Sequence, residues 1–272
     1  MSRKTRFVIA GFGNIGRQIA GYVAKDEAGT LEIAAVAARN REKAREKLGR
    51  LGFDVPVVSA AEAPDHADII VESGTYDSFR EIVEPGLKAG CTVIAVSVGA
   101  LAENLDLIDL ATQSGGTLHI ASGTLPGLDL LRSAREAGID EVKLVSKILP
   151  RSLAHEAYIR DNGIDLAAAE NACVPVFKGT AREAARHFPR HFNVAVSLSL
   201  AGVGLDRTMI DISADGRLPG AQHTIHVRSP AVVLELTSHN FPSPENNRTS
   251  RIVAPSILAA LRQIGNPLRI GS

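Results

Sequence analysis

Three glycines are the first residues in this chain whose spacing implies chemistry. In RFVIAGFGNIGRQIAGYVA (residues 6–24) an apolar, β-branched stretch is followed at once by Gly11, Gly13 and Gly16, and then by an amphipathic pattern. Between a buried strand and a helix, that spacing is a dinucleotide-binding fingerprint. Gly11 permits a tight turn, Gly13 lets the backbone approach a pyrophosphate, and Gly16 lets helix and strand pack closely. The helix N-terminus then faces the phosphate charge. Gly11, Phe12, Gly13, Asn14, Ile15 and Gly16 are the expected cofactor-binding residues.

A bound nicotinamide dinucleotide implies hydride transfer, which asks the protein for positioning and for an acid or base to handle the accompanying proton. Histidine suits that task near neutral pH. Eight are present: His66, His119, His155, His187, His191, His223, His226 and His239. His66, His155 and His187 stand in charged or helical surface contexts. His223 follows the turn DGRLPGAQ (215–222) and starts a strand, from which a side chain can reach into a cleft. His226, three residues on, should face the other side of that strand. Position alone leaves a structural role for His223 as the alternative. Lys147, Arg151, Arg207, Arg228 and the backbone N–H groups of 122–125 are candidates for holding substrate carboxylates, each equally readable as solvated surface. Thr249 and Ser250 read as a cap on the last helix, and Asp106 and Asp109 as solvation on a surface helix.

Cofactor choice is read at the end of the second strand, where NAD-preferring enzymes carry a carboxylate for the ribose hydroxyls. This chain has Ala37-Ala38-Arg39-Asn40-Arg41 there, and Glu32 lies at the strand's other end. Arg39 and Arg41 could hold a 2′-phosphate, or be solvated charges at a helix start. The cofactor is expected to be NADP or NAD, with NADP accepted.

The elements that must position these groups alternate. After the first helix, LEIAAVAAR (31–39) reads as a strand, NREKAREKLGRLG (40–52) as an exposed helix and ADIIVESG (67–74) as a strand. SFREIVEPGLKAG (78–90) then reads as a helix, CTVIAVSVGAL (91–101) as a strand, NLDLIDLATQSGG (104–116) as a helix and TLHIASG (117–123) as a strand. That order predicts an α/β fold with a doubly wound parallel sheet, its ligand at the strand carboxyl ends. Beyond about Gly127, EVKLVSKIL (141–149), RTMIDISAD (207–215), QHTIHVRS (222–229) and AVVLELTSH (231–239) suggest a mixed or antiparallel sheet. Helices are expected near 164–171, 179–188 and 249–265, and NVAVSLSLAG (193–202) fits a strand or a buried helix. The division expected is 1–125 for the dinucleotide, 126–245 for substrate and dimerisation, and 246–272 as a helix returning to the first domain.

At 272 residues the chain can form two modest domains. Lys plus Arg equals Asp plus Glu at 30 each, so no global field points to nucleic acid. Cys91 and Cys173 are far apart and form no CxxC or His/Cys cluster, which argues against a disulfide framework or a structural zinc. No signal pattern or membrane-length apolar run is read, and a cytoplasmic protein is expected.

Several stretches together resemble the L-aspartate dehydrogenase family: VSVGALAE (96–103), HIASGTLPGLD (119–129), VFKGTAREAARHFPRHFNVAVSLSLAG (176–202), AQHTIHV (221–227) and ENNRTSRIVAPSILAAL (245–261). The resemblance covers nearly the whole chain. It implies an N-terminal Rossmann domain, a C-terminal α/β mixed-sheet domain that also forms a homodimer, and NAD(P)-dependent interconversion of L-aspartate and iminoaspartate. It further implies cofactor contacts at Thr124 and Asn193 and a catalytic histidine at His223. The sequence departs from the family pattern in several places. Residues 122–127 read Ser-Gly-Thr-Leu-Pro-Gly where Ser-Gly-Ala-Ile-Gly-Gly is frequent, and Ala221 replaces an Asn two positions before the histidine. Ala214-Asp215-Gly216, Asn246-Asn247 and Glu72-Ser73-Gly74-Thr75-Tyr76 also differ. These departures keep two further readings open: an imine or carbonyl oxidoreductase of the same fold with another substrate, and a dinucleotide-binding regulatory module without turnover.

Overall fold

Phe7, Val8, Ile9 and Ala10 are fully buried, as a strand at the centre of a sheet covered on both faces requires. They belong to β1 (Thr5–Ala10), from which the chain runs through α1 (Asn14–Val23), β2 (Leu31–Ala37), α2 (Arg41–Arg50), β3 (Val57–Val58), β4 (Ile69–Glu72), α3 (Phe79–Lys88), β5 (Thr92–Ala95), α4 (Asp106–Ser114) and β6 (Thr117–Ile120). The computed structural model describes residues 4–188 and 193–271; His191 lies outside them. The six strands pair in the order β3-β2-β1-β4-β5-β6, every pairing parallel. This is the Rossmann order, with the switch point between β1 and β4.

The second half contains α5 (Leu128–Glu136), β7 (Glu141–Ile148), α6 (Pro150–Leu153), α7 (Ala157–Asp161), β8 (Cys173–Thr180), α8 (Ala181–His187), α9 (Asn193–Ala201), β9 (Thr208–Asp215), β10 (Ala221–Arg228) and β11 (Val233–Asn240). A two-stranded ribbon, β12 (Pro242–Ser243) and β13 (Asn246–Ser250), precedes α10 (Val253–Gly265). The five-stranded sheet is mixed, in the order β11-β10-β7-β9-β8 with only β7 and β9 parallel. Its strands alternate: Val142, Leu144, Ser146 and Ile148 of β7 are buried, while Lys143, Val145 and Lys147 are half-buried.

Two compact units result, one of residues 1–123 with 253–270 and one of 124–252 with 271–272. In the first, Ala254, Ile257, Leu258, Ala260 and Leu261 of α10 share a core with Phe7, Ile19 and Leu31.

Of the two readings open for 193–202, strand or buried helix, the helix is found, over Asn193–Ala201 and buried continuously from Ala195 to Ser199. Elsewhere the elements depart from the sequence reading at definable points. The stretch 91–101 is strand only over Thr92–Ala95 and then coils into a short 3₁₀ turn at Val98–Glu103. Only a single such turn, Ala168–Glu170, occupies the helix expected near 164–171. Thr249 and Ser250 belong to β13 and do not cap α10, which begins at Val253. Asp106 is not simply solvated, because Arg80 donates to both of its carboxylate oxygens.

Candidate active site

In the first unit, the glycine-rich loop, the β2–α2 connection and the loop after β4 surround a cleft of about 490 Å³, lined by Gly11, Phe12, Gly13 and Arg39 among others. Gly11 has φ +98°, and a Cβ on it would lie 2.5 Å from backbone atoms of Ser73 and Gly74. A Cβ on Gly16 would lie 2.3 Å from the Gly11 carbonyl oxygen. Gly13 differs, since a Cβ there would meet no protein atom within 4 Å. Its open side is where a ligand backbone can approach. Ile15 packs its side chain against the core, which leaves its backbone as the part available to a cofactor.

A buried carboxylate braces the rim of this cleft. Glu72, the last residue of β4, is completely buried; Gly74 N–H donates to its Oε1 at 2.8 Å, and Val96 N–H and Ser97 N–H donate to its Oε2 at 3.0 and 2.8 Å. Burial still holds its carboxyl above the usual range, against the opposing pull of these hydrogen bonds. Ser73 Oγ donates to the Gly11 carbonyl at 2.7 Å, tying the same loop to the fingerprint.

The β2 end carries cations in place of a carboxylate. Arg39 pairs with Glu81 at 3.2 Å and Arg41 with Glu62 at 2.8 Å, all exposed, while Glu32 pairs with Arg6 at the opposite end of β2. Asn40 caps α2, its side chain accepting from Lys43 N–H at 2.9 Å. Lys43 and Lys47, one turn apart, line the same cleft, and neither has a carboxylate within ion-pair distance among the described residues. Lys47 is held below the ordinary lysine value by desolvation, then by the like charges of Arg17 and Lys43. The sequence reading missed both lysines; their i, i+4 spacing behind the Asn40 cap was the available clue.

These residues fit a dinucleotide. Asn14 Oδ1 and Nδ2 are buried with no hydrogen-bond partner among the described residues, at the first turn of α1 beside Gly13. Gly13 presents open backbone, and Lys43 and Lys47 bring to the cleft cations with no carboxylate at ion-pair distance among the described residues.

In the second unit His223 stands on β10 directly opposite Ser146 of β7 and Ser238 of β11. His223 is 6 % exposed and Ser146 fully buried, and the ring Nδ1 and Ser146 Oγ are 2.9 Å apart. Desolvation pushes the His223 ring down to about 4, so it is uncharged at neutral pH. Ser238 Oγ donates to the Thr124 carbonyl oxygen at 2.9 Å and accepts from Asn240 Nδ2 at 2.9 Å. Thr124 is thereby fixed to the strand beside His223. His226 lies on the other face, 3.4 Å from Glu235. Asn193 opens α9, half-buried. Of the basic candidates, Arg228 pairs with Glu141 at 2.8 Å, Arg207 donates to the Ile139 carbonyl at 3.2 Å, and Arg151 is exposed. Ser146 and Ser238 were not read as site residues, though Ser146 is the polar residue in the stripe of Val142, Leu144 and Ile148, and Ser238 follows Leu234 and Leu236 on its own strand.

The family description "Aspartate dehydrogenase, C-terminal" matches residues 129–264. L-aspartate dehydrogenase 3 of Bordetella bronchiseptica is 39% identical over 264 residues, spanning 97% of this chain and 96% of that one. This chain belongs to the aspartate dehydrogenase family. The L-aspartate dehydrogenase of Bradyrhizobium diazoefficiens is likewise 39% identical, over 100% of this chain and 95% of its own. Residues 11–121 match the description "Homoserine dehydrogenase, NAD binding domain". The crystal structure of aspartate dehydrogenase from Thermotoga maritima shares the fold, with a TM-score of 0.73 at 23% identity, covering 98% of this chain and 99% of that one. As a member of the family, the chain is an NAD(P)-dependent amino acid dehydrogenase, and NAD or NADP is its cofactor. No helix among the described residues is long and apolar enough to cross a membrane.

Proposed function

We propose that this dehydrogenase interconverts L-aspartate and iminoaspartate, the imine exchanging with oxaloacetate and ammonia, and that it accepts NADP(H) at least as well as NAD(H). The observation that carries the reading is a buried, uncharged histidine, His223, on a sheet whose sequence matches the aspartate dehydrogenase C-terminal description. When bound, the cofactor supplies a hydride acceptor or donor at its nicotinamide ring. The chain's own residues do the rest. Gly11 and Gly13 give a close backbone approach, Asn14 and the α1 N-terminus hold the pyrophosphate, and Arg39, Arg41, Lys43 and Lys47 surround the place of a 2′-phosphate. Thr124 and Asn193 contact the cofactor, Ser238 holding the first in place. His223 offers a ring nitrogen to the reacting substrate.

Purified enzyme is assayed with L-aspartate, other amino acids, and oxo acids with ammonia, following nicotinamide absorbance with each cofactor. The reading expects L-aspartate and oxaloacetate to give the highest kcat/KM. A different dicarboxylate or a carbonyl compound would win if the changes at Thr124, Pro126 and Ala221 had redirected the pocket, and no turnover on any substrate would favour a regulatory module.

The division of labour proposed is a dinucleotide unit closed by the last helix and a second unit that handles substrate and forms a homodimer. On the second sheet the alternate positions Val145, Met209 and Thr224 are only half-buried, and Asp211 Oδ1 is buried with no partner among the described residues. A face of that composition suits a second copy of itself. Light scattering at micromolar concentration should give a dimer mass, and a monomer would remove the interface. Balanced charge and cysteines free of disulfides fit a cytoplasmic location.

A further inference from the structure

On the sheet face that His223 shares with β7 and β11, its described neighbours are apolar or hydrogen-bonding and none is charged. On the face it shares, β7 presents Leu144, Ser146 and Ile148, and β11 presents Leu236, Ser238 and Asn240. Nothing there stabilises an imidazolium, so one ring nitrogen carries a proton and the other does not. The 2.9 Å contact between Nδ1 and Ser146 Oγ fits two arrangements. If the ring donated, the Ser146 hydroxyl proton would be left in a fully buried place with no acceptor, because His223 is the single hydrogen-bond partner of that side chain among the described residues. An unsatisfied buried donor is the costlier arrangement. With Ser146 donating, its hydroxyl proton is satisfied, and the donor left without a protein partner among the described residues is the ring Nε2–H, on the residue that keeps some exposure.

We propose that Ser146 is a positioning residue: it donates to Nδ1 and fixes His223 in the neutral Nε2–H tautomer, so that the ring presents a hydrogen-bond donor to a substrate oxygen and does not act as a proton acceptor. The proposal rests on the reading of His223 as the ring that meets substrate. In the exchange of imine with oxo acid, the water oxygen forms its bond to Cα, the C=N π pair moves onto nitrogen and that nitrogen takes up the proton the water sheds; the carbinolamine then breaks its C–N bond, the pair and the hydroxyl proton leaving with ammonia as C=O forms. The Nε2–H of His223 stays bonded to the new carbinolamine oxygen throughout and changes no protonation.

The test is long-range ¹H–¹⁵N correlation at pH 7 on protein carrying ¹⁵N-histidine, with the His223 signals assigned by their loss in His223→Asn. The wild type should show the Nε2–H tautomer. Ser146→Ala should shift the ring toward a mixture of tautomers and lower kcat about tenfold with the cofactor KM unchanged, and Ser146→Thr, which keeps the hydroxyl, should restore both. An Nδ1–H tautomer or a charged ring in the wild type overturns the proposal, whether or not Ser146→Ala folds. So does a Ser146→Ala enzyme with unaltered tautomer and kcat. If the wild type shows the Nε2–H form but His223→Asn keeps full turnover, the tautomer assignment stands and the catalytic reading of His223 fails.

Discussion

The dinucleotide cleft of the first unit and the histidine site of the second are built by opposite means. The cleft is made of backbone and of charges at its rim: Gly11 turns at φ +98°, Gly13 is bare, and Arg39 and Arg41 are exposed and paired. The histidine site is made of side chains meeting across strands, with Ser146 and His223 belonging to residues 77 positions apart. The first can be written within six consecutive residues, because local turn geometry sets it. The second exists only once β7, β10 and β11 have found their register, and a slip of one residue would turn His223 to the opposite face. A backbone site tolerates changes in side-chain chemistry but not an added Cβ; a register site behaves in the reverse way.

The contrast can be broken most severely at His223. Asn keeps a donor but cannot place it where the ring Nε2–H lies, and His223→Asn should lower turnover about 10²–10³-fold while cofactor affinity and fold persist. Near wild-type turnover in steady-state assays would take the ring out of the chemistry. A second consequence of the same burial is thermodynamic. The unfolded chain takes up a proton at this histidine below its ordinary value of 6.5, whereas the native ring does so only near 4. The native state therefore loses stability as pH falls through that window, by roughly 3 kcal/mol in total, and the loss levels off below it. Denaturant titrations at pH 7, 5 and 4 should show that increment in the wild type and not in His223→Asn.

In the cleft the expected effects are smaller and act on binding. Gly13→Ala adds a Cβ that meets no protein atom, so stability should change by less than about 0.5 kcal/mol, while cofactor affinity falls about tenfold or more because the pyrophosphate approach is filled. Fluorescence titration with NADH and NADPH, beside a thermal melt, separates the two; equal affinity would place the phosphates elsewhere. The smallest effects belong to the rim. Lys47→Gln should weaken NADPH about tenfold and leave NADH unchanged, and Arg39→Ala, already engaged with Glu81, should weaken NADPH by severalfold at most. Equal losses for both cofactors would show that these cations serve the dinucleotide as a whole.

The sequence disclosed the Rossmann unit in proportion to how local its determinants are. The fingerprint and the strands Leu31–Ala37 and Ile69–Glu72 follow from spacing and apolar runs. The two-residue β3 escaped because two valines carry no period. In the second unit β8 was unread because Pro175 and Gly179 break its pattern; it lies at the sheet edge, with an irregular register between Pro175 and Phe177. The helix at 193–201 was undecided because a segment buried all round has no amphipathic face to report its period. His223 stood out by its turn and by family likeness, but Ser146 became visible only through strand pairing, which no single strand encodes.

The return of α10 to the first unit bears on how the protein is made. The core around Phe7, Ile19 and Leu31 is completed by Ile257 and Leu261, more than two hundred residues later in the chain. A nascent chain that has emerged only through β6 therefore lacks part of that core, and it carries an unsealed apolar stripe while the intervening unit is synthesised. The intervening segment, with its own sheet and helices, can acquire structure first. Closure of the nucleotide unit is then a late, long-range event with the slow kinetics of a large loop, and holding that stripe during synthesis is a natural task for a chaperone.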